Sequence, residues 1–271
     1  MTAEIPLGRA TTYPEHYSPG LLYAIARTDS RAALGLGDDL PFQGADIWNA
    51  WELTWLDKAG LPQVATAEIS IPAASPSIIE SKSLKLYLGS FAMTQFGSDA
   101  AVAAPISRDI SVCVGTGVDV RLRRLSSIDG AVIAQLPGDC IDSMTVSCAT
   151  YEVDPELLRA DASDFVSETI HSHLLRSLCP VTNQPDMGSV IFSYEGPRID
   201  RERLLRYVVS YRQHHDFHEA CVERMFVEIL ERCRPEKLSV YARYQRRGGI
   251  DINPFRSNYE TDPPNIRLWR Q

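Results

Sequence analysis

Cys179 and Asp186 stand at the two ends of the octapeptide CPVTNQPD. Pro180, Asn183 and Pro185 argue against an uninterrupted helix or central strand there, because proline lacks an N–H and fixes φ. The segment is therefore read as a stiff loop that holds a thiol and a carboxylate at fixed positions. A thiol among loop formers is not packing a core, so Cys179 stands apart as a candidate nucleophile. Asp186 has two readings on the residues alone: an acid–base partner working beside that thiol, or a carboxylate that caps its own turn. Three further stretches carry polar groups at short spacing: Glu80-Ser81-Lys82 in ESKSLKLY, His218-Glu219 in FHEACVERM, and Arg247-Gly248 in RRGGIDINP. Each has a plain alternative. His218 could be a surface histidine at a helix start beside His214 and His215, and the arginine–glycine run could be a basic hairpin turn.

The elements that must position these groups are organised as a repeat. IESKSLKLYLGSF (Ile79 to Phe91) lies over IDRERLLRYVVSY (Ile199 to Tyr211) without a gap, pairing Leu84 with Leu204, Tyr87 with Tyr207 and Ser90 with Ser210. Upstream, each copy has a strand-like segment that opens with proline, PQVATAEISI and PDMGSVIFSY. Downstream, DISVCVG and KLSVYAR read as further strands. AWELTWL alternates Trp51, Leu53 and Trp55 on one face, the pattern of a half-buried strand. HEACVERMFVEILERC carries a helical stripe, and SDFVSETIHSHLLRS also reads as helix. The expected organisation is a loose N-terminal arm over 1–39, a first module over 40–150 and a second over 160–271. Both modules are α+β, with antiparallel strands and segregated helices. Glu80-Ser81-Lys82 falls in one copy and the Cys179–Asp186 loop in the other, which favours one composite site over two independent ones.

Composition narrows the function classes. A length of 271 residues with 44% hydrophobic and 23% charged residues is ordinary for a globular chain of one or two domains. The net charge of −8 gives no electrostatic reason to expect direct nucleic-acid or acidic-membrane binding. No apolar run approaches the ~18–20 residues of a membrane span, and the first twenty residues lack a signal-peptide pattern, so a cytoplasmic protein is expected. The six cysteines show no CxxC pairing and are expected to be reduced. Cys113 and Cys148 read as strand residues, Cys221 and Cys233 as members of a helical core stripe.

Taken together and in order, ESKSLKLY, CPVTNQPD, FHEACVERM and RRGGIDINP resemble the marked stretches of the NADPH-dependent 7-cyano-7-deazaguanine reductases of queuosine biosynthesis, in their long, two-module subgroup. The resemblance runs over nearly the whole chain. It implies tandem tunnelling-fold modules, antiparallel sheets backed by helices, which assemble as a homodimer or another even homo-oligomer. It implies a small deazapurine nitrile as substrate, NADPH as hydride source, and reduction of the nitrile to a primary amine. A nitrile carbon accepts hydride poorly until a thiolate has added to it, so Cys179 is expected to be the nucleophile and Asp186 the acid. By the same resemblance Ile78, Ile79, Glu80, His218 and Glu219 border the substrate, the carboxylates accepting the adjacent N–H donors of a deazaguanine edge. With no GxGxxG after a strand, a Rossmann site is not expected. Ser81, Lys82, Arg247 and Gly248 are instead the expected cofactor contacts.

Two other readings compete. A zinc-dependent pterin-type cyclohydrolase of the same fold could draw ligands from His171, His173 and Cys179, although their spacing follows no usual zinc pattern. A non-catalytic purine-binding module would need Cys179 to be unreactive.

Overall fold

The computed structural model describes residues 13–127 and 133–271. The first part of the chain forms β1 (Ala24–Ala26), α1 (Thr28–Ala32), β2 (Gln43–Leu56), β3 (Pro62–Pro72), β4 (Ser77–Ile79), α2 (Ser81–Gly89), α3 (Asp99–Val114) and β5 (Asp119–Arg124). There follow β6 (Asp139–Cys140), β7 (Ala160–Leu178), β8 (Pro185–Ile199), α4 (Arg201–Ser210), α5 (His218–Cys233), β9 (Lys237–Tyr244) and β10 (Ile250–Ser257). Two compact units result. Of the described residues, one contains 13–29, 47–127 and 246–251; the other contains 30–46, 133–245 and 252–271. Both mix helices with mainly antiparallel strands, which is the α+β class expected from the sequence.

In the first unit β3 lies between β2 and β5 and pairs antiparallel with β5. Short β1 pairs with β4, Ala24 opposite Ile79 and Ile25 opposite Ile78. In the second unit the order is β10-β9-β8-β7-β6, antiparallel except for the β6–β7 pair. α4 packs on β7 and α5 on β9.

The repeat is structural at the residues that suggested it. Glu80 and Asp200 both cap the helix that follows, each accepting the N–H three residues on. Leu84, Tyr87, Ser90 and Phe91 are fully buried, and so are Leu204, Tyr207, Ser210 and Tyr211. Ser90 and Ser210 hydroxyls each donate at 2.6 Å to the carbonyl three residues back. The Tyr87 hydroxyl donates to Asp109 on α3 at 2.8 Å, and that of Tyr207 to Glu228 on α5 at 2.5 Å. Each large apolar side chain buried in this way contributes about 1.5–3 kcal/mol.

Four local expectations are corrected. SDFVSETIHSHLLRS is strand, not helix: it lies within β7, which pairs with β8 from Ala160 opposite Ile199 to Leu178 opposite Pro185. A long partner strand satisfies its backbone and overrides the helical spacing of its leucines. DISVCVG is helix, not strand, because Val102, Ile106, Ile110 and Val114 recur every four residues and are all buried. Cys113 therefore belongs to α3, and Cys148 lies in no regular element. The arm is not loose from Tyr17 onward. The Tyr17 hydroxyl donates to Asp109, its N–H reaches Thr94 at 2.8 Å, and its ring meets Phe91 edge-on at 5.2 Å. Residues 1–12 lie outside the described residues.

Candidate active site

The octapeptide closes a β-hairpin between β7 and β8. The Cys179 N–H donates to the Gln184 carbonyl and the Asn183 N–H to the Cys179 carbonyl, both at 3.0 Å. Asn183 takes the left-handed conformation, φ 57°, which asparagine tolerates better than most residues. Leu178 opposite Pro185 and Ser177 opposite Asp186 set the register, so the two ends of the octapeptide meet at the mouth of one hairpin. Cys179 is half-buried and Asp186 almost wholly buried.

α5 begins beside this hairpin. His218, in its first turn, places Nε2 3.3 Å from an Asp186 carboxylate oxygen. Its Nδ1 is buried without a hydrogen-bond partner among the described residues, an arrangement suited to receiving a ligand or passing a proton. The imidazole stacks face to face on Tyr244, centroids 3.8 Å apart. Tyr244 escaped the sequence analysis because its strand position carries no local signal. It arrives through register, opposite Gly188 on β8. A Cβ at Gly188 would stand 3.1 Å from the Tyr244 ring, so the glycine two residues after Asp186 makes room for the stack. Burial, with Cys221 and then Asp186 adding to it, pushes the Tyr244 hydroxyl well above its usual pKa and keeps it protonated. Glu219, next to His218, is buried. The remaining α5 thiols are spectators by the same physics. Burial pushes Cys221 far up and Cys233 up to about 12, and on α3 it raises Cys113.

The other predicted residues lie in the first unit. Ile78 and Ile79 are buried in β4, where pairing with β1 fixes the approach to α2. The buried Glu80 accepts the Lys82 N–H at 2.8 Å and the Ser83 N–H at 2.7 Å. It is thus an N-cap as well as a recognition candidate, a role the spacing had not suggested. Two N–H groups of the helix start are thereby engaged, so a phosphate near Ser81 and Lys82 would be held mainly by side chains. Arg247 and Ile250 bridge across Gly248 and Gly249, whose φ values of 59° and 81° are those of a type I′ hairpin turn. The basic-hairpin reading of this run is therefore its structure. A Cβ on Gly248 would meet the Lys85 side chain at 3.2 Å, which brings a further cation to the turn. Lys85, one helical turn after Lys82, was the signal available in the sequence.

His171 and His173 do not converge on Cys179. An extended strand rises ~3.3 Å per residue, so β7 carries Cys179 roughly 20 Å beyond His173. The thiol that joins the two imidazoles is Cys140, one ligating atom of each residue lying within 4.8 Å of the others. Among the described residues no helix is long and apolar enough to cross a membrane.

Comparisons with known proteins agree with the residue pattern. Residues 13–122 match the family model for the N-terminal part of the nitrile reductase 7-cyano-7-deazaguanine reductase, and residues 185–263 match the model for QueF-like proteins. A relative from Paraburkholderia xenovorans, an NADPH-dependent 7-cyano-7-deazaguanine reductase, is 52% identical over 268 residues, 98% of each chain. The solved apo structure of the archaeosine synthase QueF-Like overlaps 36% of this chain and 96% of its own, with 18% identity and a TM-score of 0.32, too distant to bear on the fold. With identity of this level along almost its whole length, the chain belongs to the NADPH-dependent 7-cyano-7-deazaguanine reductase family.

Proposed function

We propose that this protein reduces the nitrile of 7-cyano-7-deazaguanine to 7-aminomethyl-7-deazaguanine, a step in making the queuosine modification of tRNA. The observation that carries the reading is the hairpin that seats Cys179 and the buried Asp186 at one mouth, with His218 3.3 Å from the carboxylate. The Cys179 sulfur adds to the nitrile carbon, one C≡N π bond becomes a lone pair on nitrogen, and that nitrogen takes a proton from Asp186. The product is a thioimide held on the enzyme. To act as the acid Asp186 must carry a proton; the Cys179 thiol loses one as it becomes the nucleophile, and His218 is placed to relay it. NADPH supplies two hydrides in succession, four electrons in all, and the carbon–sulfur bond breaks between them to return the thiol.

Ile78, Ile79, Glu80, His218 and Glu219 are assigned to the substrate, the two carboxylates reading its N–H edge. Ser81, Lys82, Arg247 and Gly248, joined by Lys85, are assigned to the cofactor. β5 leaves one edge unpaired in its own unit, and exposed edges favour association, so an even homo-oligomer is expected. The protein acts in the cytoplasm on the free base and needs no direct contact with nucleic acid.

Absorbance of the reduced cofactor, followed while the protein turns over the nitrile, tests the reading. Two NADPH should be consumed per amine formed. A ratio of one, free aldehyde as the main product, or binding without NADPH consumption would each overturn it, the last in favour of a purine-binding module.

A further inference from the structure

β6 is only two residues long, and one of them is exposed Cys140, the parallel partner of His171 on β7. His173 follows two residues later, on the same face of the strand. One ligating atom from each of Cys140, His171 and His173 lies within 4.8 Å of the other two. These groups line a cavity of about 750 Å³ together with Ser189, Trp269 and Arg270. None of them is among the residues assigned above to substrate, cofactor or proton transfer.

The surroundings hold the imidazoles as metal ligands are held. His171 Nδ1 lies 2.9 Å from the Pro137 carbonyl. A carbonyl can only accept, so Nδ1 carries the proton and Nε2 keeps its lone pair. His173 Nδ1 is 2.8 Å from the Ser189 hydroxyl, which orients the ring and can accept the Nδ1 proton. Asp142 fixes the strand between the two rings, accepting the Ser172 hydroxyl at 2.6 Å and the His173 N–H at 2.9 Å. Gly138 lets the preceding turn lie against β7: at φ 77°, a Cβ there would stand 2.0 Å from the Thr169 carbonyl oxygen. Arg270 is engaged by the Gly188 and His173 carbonyls at 2.7 and 3.2 Å.

We propose that Cys140, His171 and His173 form a binding site for a borderline-soft divalent ion, zinc in particular, which clamps the β6 segment to β7. Thiolate and imidazole are both ordinary zinc ligands, and three protein ligands leave the fourth tetrahedral position to water or a small anion from the cavity. Bonds of about 2.0–2.3 Å place tetrahedral donors roughly 3.5 Å apart, so closure asks for side-chain shifts of about 1 Å. Binding forms the Zn–S bond and releases the Cys140 proton to solvent. Because this thiol is not Cys179, the ion and the covalent chemistry coexist.

The test uses the full chain, stripped with a chelator and titrated with Zn²⁺ by calorimetry in buffers of different ionisation enthalpy, then with Co²⁺ by absorption. One ion per chain, a released proton and a thiolate-to-cobalt charge-transfer band are expected. Cys140→Ser and His173→Gln should weaken binding by more than the ~10–100-fold typical of losing an outer-shell partner. Cys140 is exposed, so its serine variant should fold, and retained nitrile reduction would show that it has. Cys179→Ser and Cys148→Ser should bind zinc as the wild type does. No binding to the folded wild type, a cobalt spectrum without the thiolate band, unchanged affinity in Cys140→Ser, or loss of binding in Cys179→Ser would each overturn the proposal.

Discussion

Replacing Glu80 by aspartate separates the two tasks assigned to its carboxylate. As a cap it accepts two backbone N–H groups, those of Lys82 and Ser83. At the equivalent point of the repeat, Asp200 accepts the Arg203 N–H alone, at 3.1 Å. The fold thus contains its own control for a shorter acid at this helix start. Glu80→Asp should keep the bond to Ser83 and lose the one to Lys82. Lys82 is half-buried, so water can partly replace that bond, and the expected cost is about 0.5–1.5 kcal/mol. For a chain of this size that is a fall in Tm of roughly 1–6 °C, and Glu80→Ala, which loses both bonds, should fall further. Recognition responds differently, because the shorter side chain withdraws the carboxylate by one methylene. Losing a hydrogen bond to a charged group costs about 1.5–3 kcal/mol, roughly 10–150-fold in kcat/KM. Thermal unfolding and initial rates of NADPH oxidation on the same samples give both numbers. A Tm for Glu80→Asp as low as that of Glu80→Ala would refute the analogy with Asp200. A stable Glu80→Asp with unchanged kcat/KM would refute a contact between this carboxylate and the substrate.

Intact mass after incubation with the nitrile alone should show one ligand added to the wild type and none to Cys179→Ala, whereas Cys221→Ala and Cys233→Ala still form the adduct; an adduct on Cys179→Ala would place the nucleophile elsewhere. Asp186→Asn keeps the hairpin's shape but removes the acid, so turnover should fall by ~10²–10⁴-fold; a loss below tenfold would exclude Asp186 as the acid. Glu223 is buried between Arg31 and Arg256, each within 2.8 Å, and Arg256 also pairs with Asp46. Glu223→Gln leaves buried cations undercompensated and should cost about 3–5 kcal/mol, read as a lower urea midpoint; a loss under about 1 kcal/mol would contradict it. Hydrogen bonding to Arg124 lowers the pKa of Asp99 below 3.8, so this pair stabilises the fold above the ordinary carboxylate pKa and stops doing so as pH falls through the lowered one. The pair is partly exposed, so Asp99→Asn should cost only ~0.2–1 kcal/mol near pH 7, with the difference from wild type vanishing in acid; a difference that persists there would have another origin.

What could be read in the sequence was whatever is encoded within a few residues. The proline-punctuated loop, the α5 stripe and the Gly248–Gly249 turn are local, because turns and helical faces are satisfied by near neighbours. The repeat was legible for the same reason, as Leu84, Tyr87 and Ser90 recur with their spacing intact. Long-range pairing decided the rest. β7 is strand because β8 runs beside it, although its leucines are spaced like a helix. α3 is helix because Val102, Ile106, Ile110 and Val114 bury one stripe, although DISVCVG is rich in strand formers. Tyr244 reaches His218 through the register of β8 with β9, and Cys140 rather than Cys179 reaches the two histidines through the parallel β6–β7 pair. Strand pairing joins residues of arbitrary sequence separation, and one residue of register turns a side chain to the other face, so no local pattern could announce those neighbours.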